Sequence, residues 1–220
     1  MNIEPVAFFS SPLKEKFGVP RQSGLAPDLA GEVRFVPPYD APEALRGLEG
    51  FDYCWLIWGF SLNREAAGGL TVRPPRLGGN ERVGVFASRS PFRPNPLGLS
   101  CVRIESVEKG LLRVRGADLA DGTPVYDVKP YVEYADSKCG VRSGFVDSSL
   151  WEPLEVRIPE PVLDVLGPDD SAALSEVLAQ DPRPRYQDDP ERRYGLVFGE
   201  FNVKFFVKDS IVFVDSLEKY

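Results

Sequence analysis

Through its first 135 residues this chain never runs far without a proline or a glycine. The 220 residues hold 21 prolines and 20 glycines, and through the first 135 residues the apolar stretches between them are short. Proline removes a backbone donor and is poorly tolerated inside helices and central strands. Long helices are therefore excluded from most of this region, and many short strands with tight turns are what remains. Ile3–Phe9 reads as an edge-type strand with Pro5 near its start, and Lys14–Pro27 as a polar loop. Glu32–Val36 is a short strand, and Pro42–Leu48 is a short helix with proline in its first turn and Gly50 beyond its end. Tyr53–Phe60 (YCWLIWGF) is continuously apolar, the pattern of a strand buried on both faces. Val83–Ala87 is another strand. Leu99–Val107 and Leu111–Ala117 form a hairpin turning at Lys109-Gly110, with Leu112 and Val114 on one face and Arg113 and Arg115 on the other. Thr123–Val132 follows, broken by Pro124 and Pro130. A sandwich or a small barrel is expected.

The pattern changes after Tyr134. Residues 136–148 are small and polar and read as a linker, which gives a first domain over 1–135 and a small α+β domain over 149–220. In the second domain, Pro168-Asp169-Asp170-Ser171 precedes Leu174, Val177 and Leu178 at helical spacing, and Pro182 ends the helix. Tyr194–Phe198, Phe201–Val207 and Ile211–Leu217 read as a terminal meander. The stretch Gln180–Tyr186 (QDPRPRY) stands out, but its chemistry has no account from sequence.

Histidine is absent. That rules out a Ser-His-Asp triad, a Cys-His dyad and an HExxH zinc site. Cys54, Cys101 and Cys139 make no CxxC pair, so neither a disulfide framework nor a metal site is expected, and a reducing cytoplasm suits them. No run of 18 apolar residues is available for a transmembrane helix. Met1-Asn2-Ile3-Glu4-Pro5 lacks the basic and apolar parts of a secretory signal. Neither a glycine-rich dinucleotide fingerprint nor a P-loop is present. Chemistry falls to carboxylates, Tyr, Lys, Arg, backbone groups or a cofactor.

The net charge is −7, yet Arg73–Arg103 contains six arginines against the single acid Glu81, a window of +5 that leaves −12 elsewhere. Arginine suits phosphate and carboxylate and stacks on bases. Its companions here are prolines: VRPPRLGGN (Val72–Asn80), SRSPFRPNPLG (Ser88–Gly98) and LADGTPVYDVKPY (Leu119–Tyr131). Such loops lose little entropy on binding and make an anion or cofactor cradle, or else simply cap the ends of a barrel.

These stretches, with SPLKEKFGVPRQ before them and AQDPRPRY and FNVKF after, resemble the TsaA-like family of tRNA threonylcarbamoyladenosine N6-methyltransferases over nearly the whole chain. The resemblance implies an antiparallel β-barrel first domain in a mainly β protein. It also implies S-adenosylmethionine as cofactor and a homodimer with the cofactor near the subunit interface. The substrate would be the modified adenosine at position 37, beside the anticodon of tRNA. The family's cofactor positions fall on Arg21, Gln22 and Ser23, on Phe60 and Ser61, on Arg89, on Leu99, and on Ala120, Asp121, Gly122 and Thr123. The chain departs from the family where Tyr53 and Ser61 stand in place of histidines and Ser23 in place of a proline.

Methyl transfer from a sulfonium needs no metal and no covalent intermediate, so a chain without histidine remains competent. The acceptor N6 is weakly basic, and a positioned base would add about 10²- to 10⁴-fold. Asp121, Tyr126 and Asp127 are candidates. Asp121 is favoured because its loop carries cofactor positions; an Asx-turn with Gly122 is its structural alternative. Arg73, Arg76 and Arg93, with Arg183 and Arg185, are expected to hold RNA phosphates. Arg21 and Arg89 suit either the cofactor's carboxylate or RNA. A barrel that binds RNA or an adenosyl ligand without catalysis remains open, as does an enzyme acting on a small acceptor.

Overall fold

A computed structural model describes residues 2–63, 69–74, 77, 81–148, 152–183, 189 and 191–220. Arg76, Arg185 and part of the Val72–Asn80 loop lie outside them. Six strands close a barrel: β1 (Ala7–Ser10), β2 (Ala30–Phe35), β3 (Tyr53–Gly59), β6 (Leu97–Glu108), β7 (Leu111–Arg115) and β8 (Pro124–Pro130). They run in the order β1-β2-β7-β6-β3-β8, with every neighbour antiparallel. Between β2 and β3 lies the four-residue helix α1 (Pro42–Leu45). The minimal strands β4 (Thr71–Val72) and β5 (Val83–Gly84) pair as a hairpin outside the barrel. Closure removes the sheet edges that so many short strands would otherwise expose.

The barrel is filled by one side of each strand. Cys54, Leu56 and Trp58 of β3 point in and are buried, whereas Tyr53 is exposed and Trp55 and Ile57 are half-exposed. The expectation that this run is buried on both faces is therefore corrected. A closed barrel has only one interior, so apolar residues on the alternate positions must face outward. The hairpin β6–β7 turns at Lys109-Gly110 as expected, with Leu112 and Val114 fully buried. Arg113 and Arg115 point out to Glu32, Glu108 and Glu105.

Helix α2 (Glu133–Asp136) leads to an exposed stretch. Beyond it, β9 (Glu155–Arg157), β10 (Tyr194–Phe198), β11 (Phe201–Lys208) and β12 (Ile211–Lys219) form a sheet in the order β10-β11-β12-β9. Helix α3 (Glu160–Ala179) buries Leu174, Val177 and Leu178 in the same core as Val203, Phe205 and Val212 of the sheet. The meander matches the expectation, but β9, parallel to β12, was not foreseen. Three residues carry too little alternation to be seen. α3 also starts eight residues before the expected Pro168. Gly167, at φ +75° and ψ 173°, breaks it, so Pro168 opens a second helical segment.

The polar loop expected over Lys14–Pro27 is not simply polar. Leu13, Ala26 and Leu29 are buried in the second core, with Phe17 and Val19 packed against it. Residues 11–29 thus leave the barrel, pass through the hydrophobic interior of the α/β unit, and return.

A small barrel has no room for a side chain at every inward position. An added Cβ at Gly98 would lie 2.2 Å from the indole of Trp58, while Gly84 has open space around it. Gly98→Ala is therefore expected to lower stability by about 1–3 kcal/mol in urea unfolding. Gly84→Ala is expected to change it by less than about 0.5 kcal/mol. Equal effects would show that Trp58 does not fix the packing.

Candidate functional site

Four backbone segments meet at one rim of the barrel. The Ser88–Arg93 loop is locked by its own serines. Ser88 Oγ donates to the Val85 carbonyl (2.9 Å) and accepts from the Ser90 amide (3.3 Å), and Ser90 Oγ accepts from the Phe92 amide (3.2 Å). Arg93 Nη1 closes back on the Ser88 carbonyl at 3.2 Å. These side-chain turns hold a loop without strand partners in one shape. The Phe60 amide, at the end of β3, donates to the Pro96 carbonyl (2.9 Å), which joins this loop to the barrel.

The loop presents Arg89, whose guanidinium donates to Gln22 Oε1. Behind that contact runs a chain of buried polar groups. Trp58 Nε1 donates to Ser100 Oγ at 2.8 Å, and Ser100 Oγ donates to Asp118 Oδ1. Asp118 also accepts the Ser23 amide and lies in the field of Arg89. Burial pushes the Asp118 carboxyl above the usual carboxylate range, and the Ser100 hydroxyl, its own amide, Arg89 and the Ser23 amide offset only part of that. The Phe60 ring packs edge-on against Trp58 with centroids 4.4 Å apart. Tyr126 lies over Gly59, where an added Cβ would meet its ring at 2.9 Å.

The turn Ala120–Thr123 is tied to β1 and the chain beyond it. The Asp121 amide donates to the Leu13 carbonyl (2.9 Å), the Gly122 amide to Phe9 (2.8 Å), and the Phe9 amide to Thr123 (2.8 Å). Asp121 Oδ1 accepts the Ser11 amide at 3.0 Å, and Oδ2 takes Lys14 Nζ at 3.1 Å. Partial burial raises the Asp121 carboxyl, but the Ser11 amide, Lys14 and the Ser10 hydroxyl together hold it below the usual range. A carboxylate engaged by an amide and an ammonium clamps the chain: Asp121 holds the turn that carries Ala120, Gly122 and Thr123.

Gln22 and Arg89 thus meet directly, Ser23 is linked to them through Asp118, and Phe60 joins through Trp58. Arg21 is exposed, with Nη2 3.4 Å from the Asp181 carbonyl. Ser61 is exposed, and Leu99 sits on the outer barrel face, 56% exposed and paired with Ile57. Arg73 is exposed and Arg93 half-buried. Arg183 is turned inward. Its side chain is 11% exposed and its Nε and Nη2 fork onto the Asp181 carboxylate at 2.7 and 3.0 Å. Sequence reasoning missed Trp58, Ser100 and Asp118. The available signal was a serine at an inward position of an apolar strand, between Gly98 and Val102.

The fold defines the class. A crystal structure of TrmO from Pseudomonas aeruginosa superimposes with a TM-score of 0.81 at 33% identity, covering 100% of this chain and 97% of that one. Residues 8–137 match the tRNA-methyltransferase O N-terminal domain, and residues 153–220 the TrmO C-terminal domain. An Escherichia coli K12 protein named tRNA (adenine(37)-N6)-methyltransferase is 40% identical over 98% of this chain and 97% of its own. A Pseudomonas aeruginosa protein provisionally named S-adenosylmethionine-dependent methyltransferase RcsF is 42% identical over 92% of this chain and 90% of its own. The chain belongs to the tRNA-methyltransferase O family.

The raised Asp118 carboxyl has a consequence for stability. The folded state holds its proton at a pH where the unfolded chain has lost it, so ionising Asp118 costs stability as pH rises through the folded value. Asp118→Asn cannot titrate. The stability of the wild type relative to this variant, from urea unfolding, is expected to fall as pH rises above about 4, the ordinary aspartate value. A difference independent of pH would show that the carboxyl is not raised.

Proposed function

We propose that this protein is an S-adenosylmethionine-dependent enzyme that methylates N6 of threonylcarbamoyladenosine at position 37 of tRNA. What carries the reading is the rim where Arg89 meets Gln22 beside Ser23 and the half-buried Asp118, in a chain of this family. The names of the E. coli and P. aeruginosa relatives support the tRNA adenine and the cofactor respectively. The donor set fits an adenosyl sulfonium bearing a carboxylate. Guanidiniums of Arg21 and Arg89 suit the carboxylate, the Gln22 amide and the Ser23 hydroxyl suit polar edges, and the half-buried Phe60 ring suits a cation, worth about 0.5–2 kcal/mol. Ser61, Leu99 and Ala120–Thr123 complete the proposed cofactor set.

When bound, S-adenosylmethionine supplies an electrophilic methyl group by in-line displacement. The protein's share is alignment, which supplies up to roughly 7–11 kcal/mol of a barrier of this type. Asp121 fixes the turn beside the site, Asp127 is paired with Lys129 Nζ at 2.7 Å, and Tyr126, against Gly59, is the group proposed to assist loss of the N6 proton. Arg73 and Arg93 would hold phosphates of the anticodon loop, whose unpaired bases are cheap to extrude; Arg76 would join them. The cytoplasm, where tRNA works, is the proposed location.

A homodimer is part of the same proposal. Leu70 is 82% exposed and Phe86 78%, with Leu97 and Leu99 also on the surface beside the Arg89 loop. Large apolar side chains gathered around a site call for a cover, and a second copy is the occupant proposed.

The purified protein, combined with S-adenosylmethionine and tRNA carrying the threonylcarbamoyl mark, is expected to add one methyl to that nucleoside, read by mass spectrometry. Arg89→Ala is expected to raise KM for the cofactor by about 10- to 100-fold, the loss of a charged hydrogen bond. Cofactor binding without methyl transfer would instead establish a non-catalytic module. Binding of tRNA is expected to weaken with salt at a log–log slope of about −0.7 per phosphate held, less steeply in Arg73→Ala and Arg93→Ala. A slope unchanged in both variants would remove these arginines from the RNA contact.

A further inference from the structure

Helix α3 ends against the loop that carries Arg21, Gln22 and Ser23. Its last turn touches that loop at three points. Glu176 Oε2 accepts the Asp28 amide at 2.8 Å, Gln180 Nε2 donates to the Leu25 carbonyl at 3.0 Å, and the Asp181 carbonyl faces Arg21 Nη2 at 3.4 Å. Asp181 stops the helix in the left-handed region, at φ +47°, with its amide on the Leu178 carbonyl. Aspartate is among the few residues with a side chain that tolerate that conformation. Its carboxylate holds Arg183, so the reversal is pinned from within. The carbonyl end of a helix also attracts a guanidinium.

We propose that Gln180 and Asp181 are positioning residues that set the Arg21–Ser23 loop for the cofactor, and that the C-terminal unit serves the first domain through this turn. The inference rests on the reading of that loop as a cofactor contact. Leu13, Ala26 and Leu29 anchor the ends of the segment in the second core, but apolar contacts do not fix the direction of a polar loop. The hydrogen bonds from α3 do. Gln180 holds the loop at the Leu25 carbonyl, and Asp118 takes the Ser23 amide. The loop is thereby held by both the helix end and the barrel, and Gln22, which meets Arg89, lies between Arg21, facing the Asp181 carbonyl, and Ser23. The Gln180–Arg183 stretch faces the cofactor loop, and its arginine acts on Asp181.

The test uses the full chain with Gln180→Ala and Asp181→Gly, the latter keeping the backbone geometry while releasing Arg183. The dissociation constant for S-adenosylmethionine by calorimetry, and KM for it, are expected to rise about 5- to 10-fold in Gln180→Ala. The kcat at saturating cofactor and the affinity for tRNA are expected to stay within about twofold. Amide exchange at Gly24 to Ala26 in the cofactor-free protein is expected to quicken at least about fivefold. Val214→Ala, which thins the same core but removes no hydrogen bond to the loop, should lower the melting temperature and leave cofactor affinity unchanged well below melting. Unchanged exchange and cofactor affinity in Gln180→Ala, or an equal affinity loss in Val214→Ala, would overturn the proposal. So would weakened tRNA binding with cofactor affinity intact, which would make the turn an RNA contact. If the wild type binds no cofactor, the functional reading falls, while the exchange result still decides whether α3 holds the loop.

Discussion

The segment from Ser11 to Leu29 ties the two units together, its apolar side chains in one core and part of its backbone hydrogen-bonded to the barrel, and the rest of the architecture is arranged around that division. Its apolar residues, Leu13, Ala26 and Leu29, are buried among Leu174, Val177 and Phe205 of the second unit. Its polar atoms are divided between the end of α3, which takes the Leu25 carbonyl and the Asp28 amide, and the barrel. Asp121 takes the Ser11 amide and Lys14, Gly116 accepts the Gly24 amide, and Asp118 takes the Ser23 amide. A loop that merely lay on the surface would have to order Arg21, Gln22 and Ser23 on binding, at a cost of about 1–2 kcal/mol per residue of backbone. Threading its ends through a hydrophobic core settles that cost during folding.

The rim's electrostatics follow from the same arrangement. Asp118 is the one carboxyl at the Gln22–Arg89 contact that burial raises, and Arg89 is the cation whose charge reaches it. Arg89 is aimed by its hydrogen bond to Gln22, and its charge offsets a small part of the cost of the Asp118 carboxylate. Trp58 and Ser100 carry the constraint down into the barrel, where the indole packs against Gly98. Barrel packing and the orientation of Arg89 are therefore linked through four residues rather than being separate matters.

How legible this was depended on range. The β6–β7 hairpin, the inward Leu112 and Val114 and the terminal meander were legible because strand alternation and a Lys109-Gly110 turn are local signals. The positions of Gln22 and Arg89 came from the family resemblance, and their contact across 67 residues is not something spacing could give. The reading of Tyr53–Phe60 as doubly buried failed because the apolar outward residues Trp55 and Ile57 look the same in sequence whether helices or solvent cover them. The first turns of α3 were missed because Gly167 and Pro168 look like a loop until the helix on either side is seen. Asp118 was passed over because the nearby Asp-Gly at Asp121 is the louder signal. Its loudness is a turn, with a carboxylate already engaged by Ser11 and Lys14.

A chain with no histidine must rely on holding groups still, and the distribution of stiffness in this molecule agrees with that. The serine turns at Ser88 and Ser90, the prolines between them and the barrel, and the clamp at Asp121 restrict motion without supplying a reactive group. General base catalysis adds a few powers of ten, whereas alignment is worth roughly 7–11 kcal/mol. In the proposed reaction Tyr126 would supply the smaller contribution and the held loops the larger one. The same logic accounts for the second unit: a helix end that fixes one loop to within a hydrogen bond acts on the larger contribution, even though it carries no reacting group.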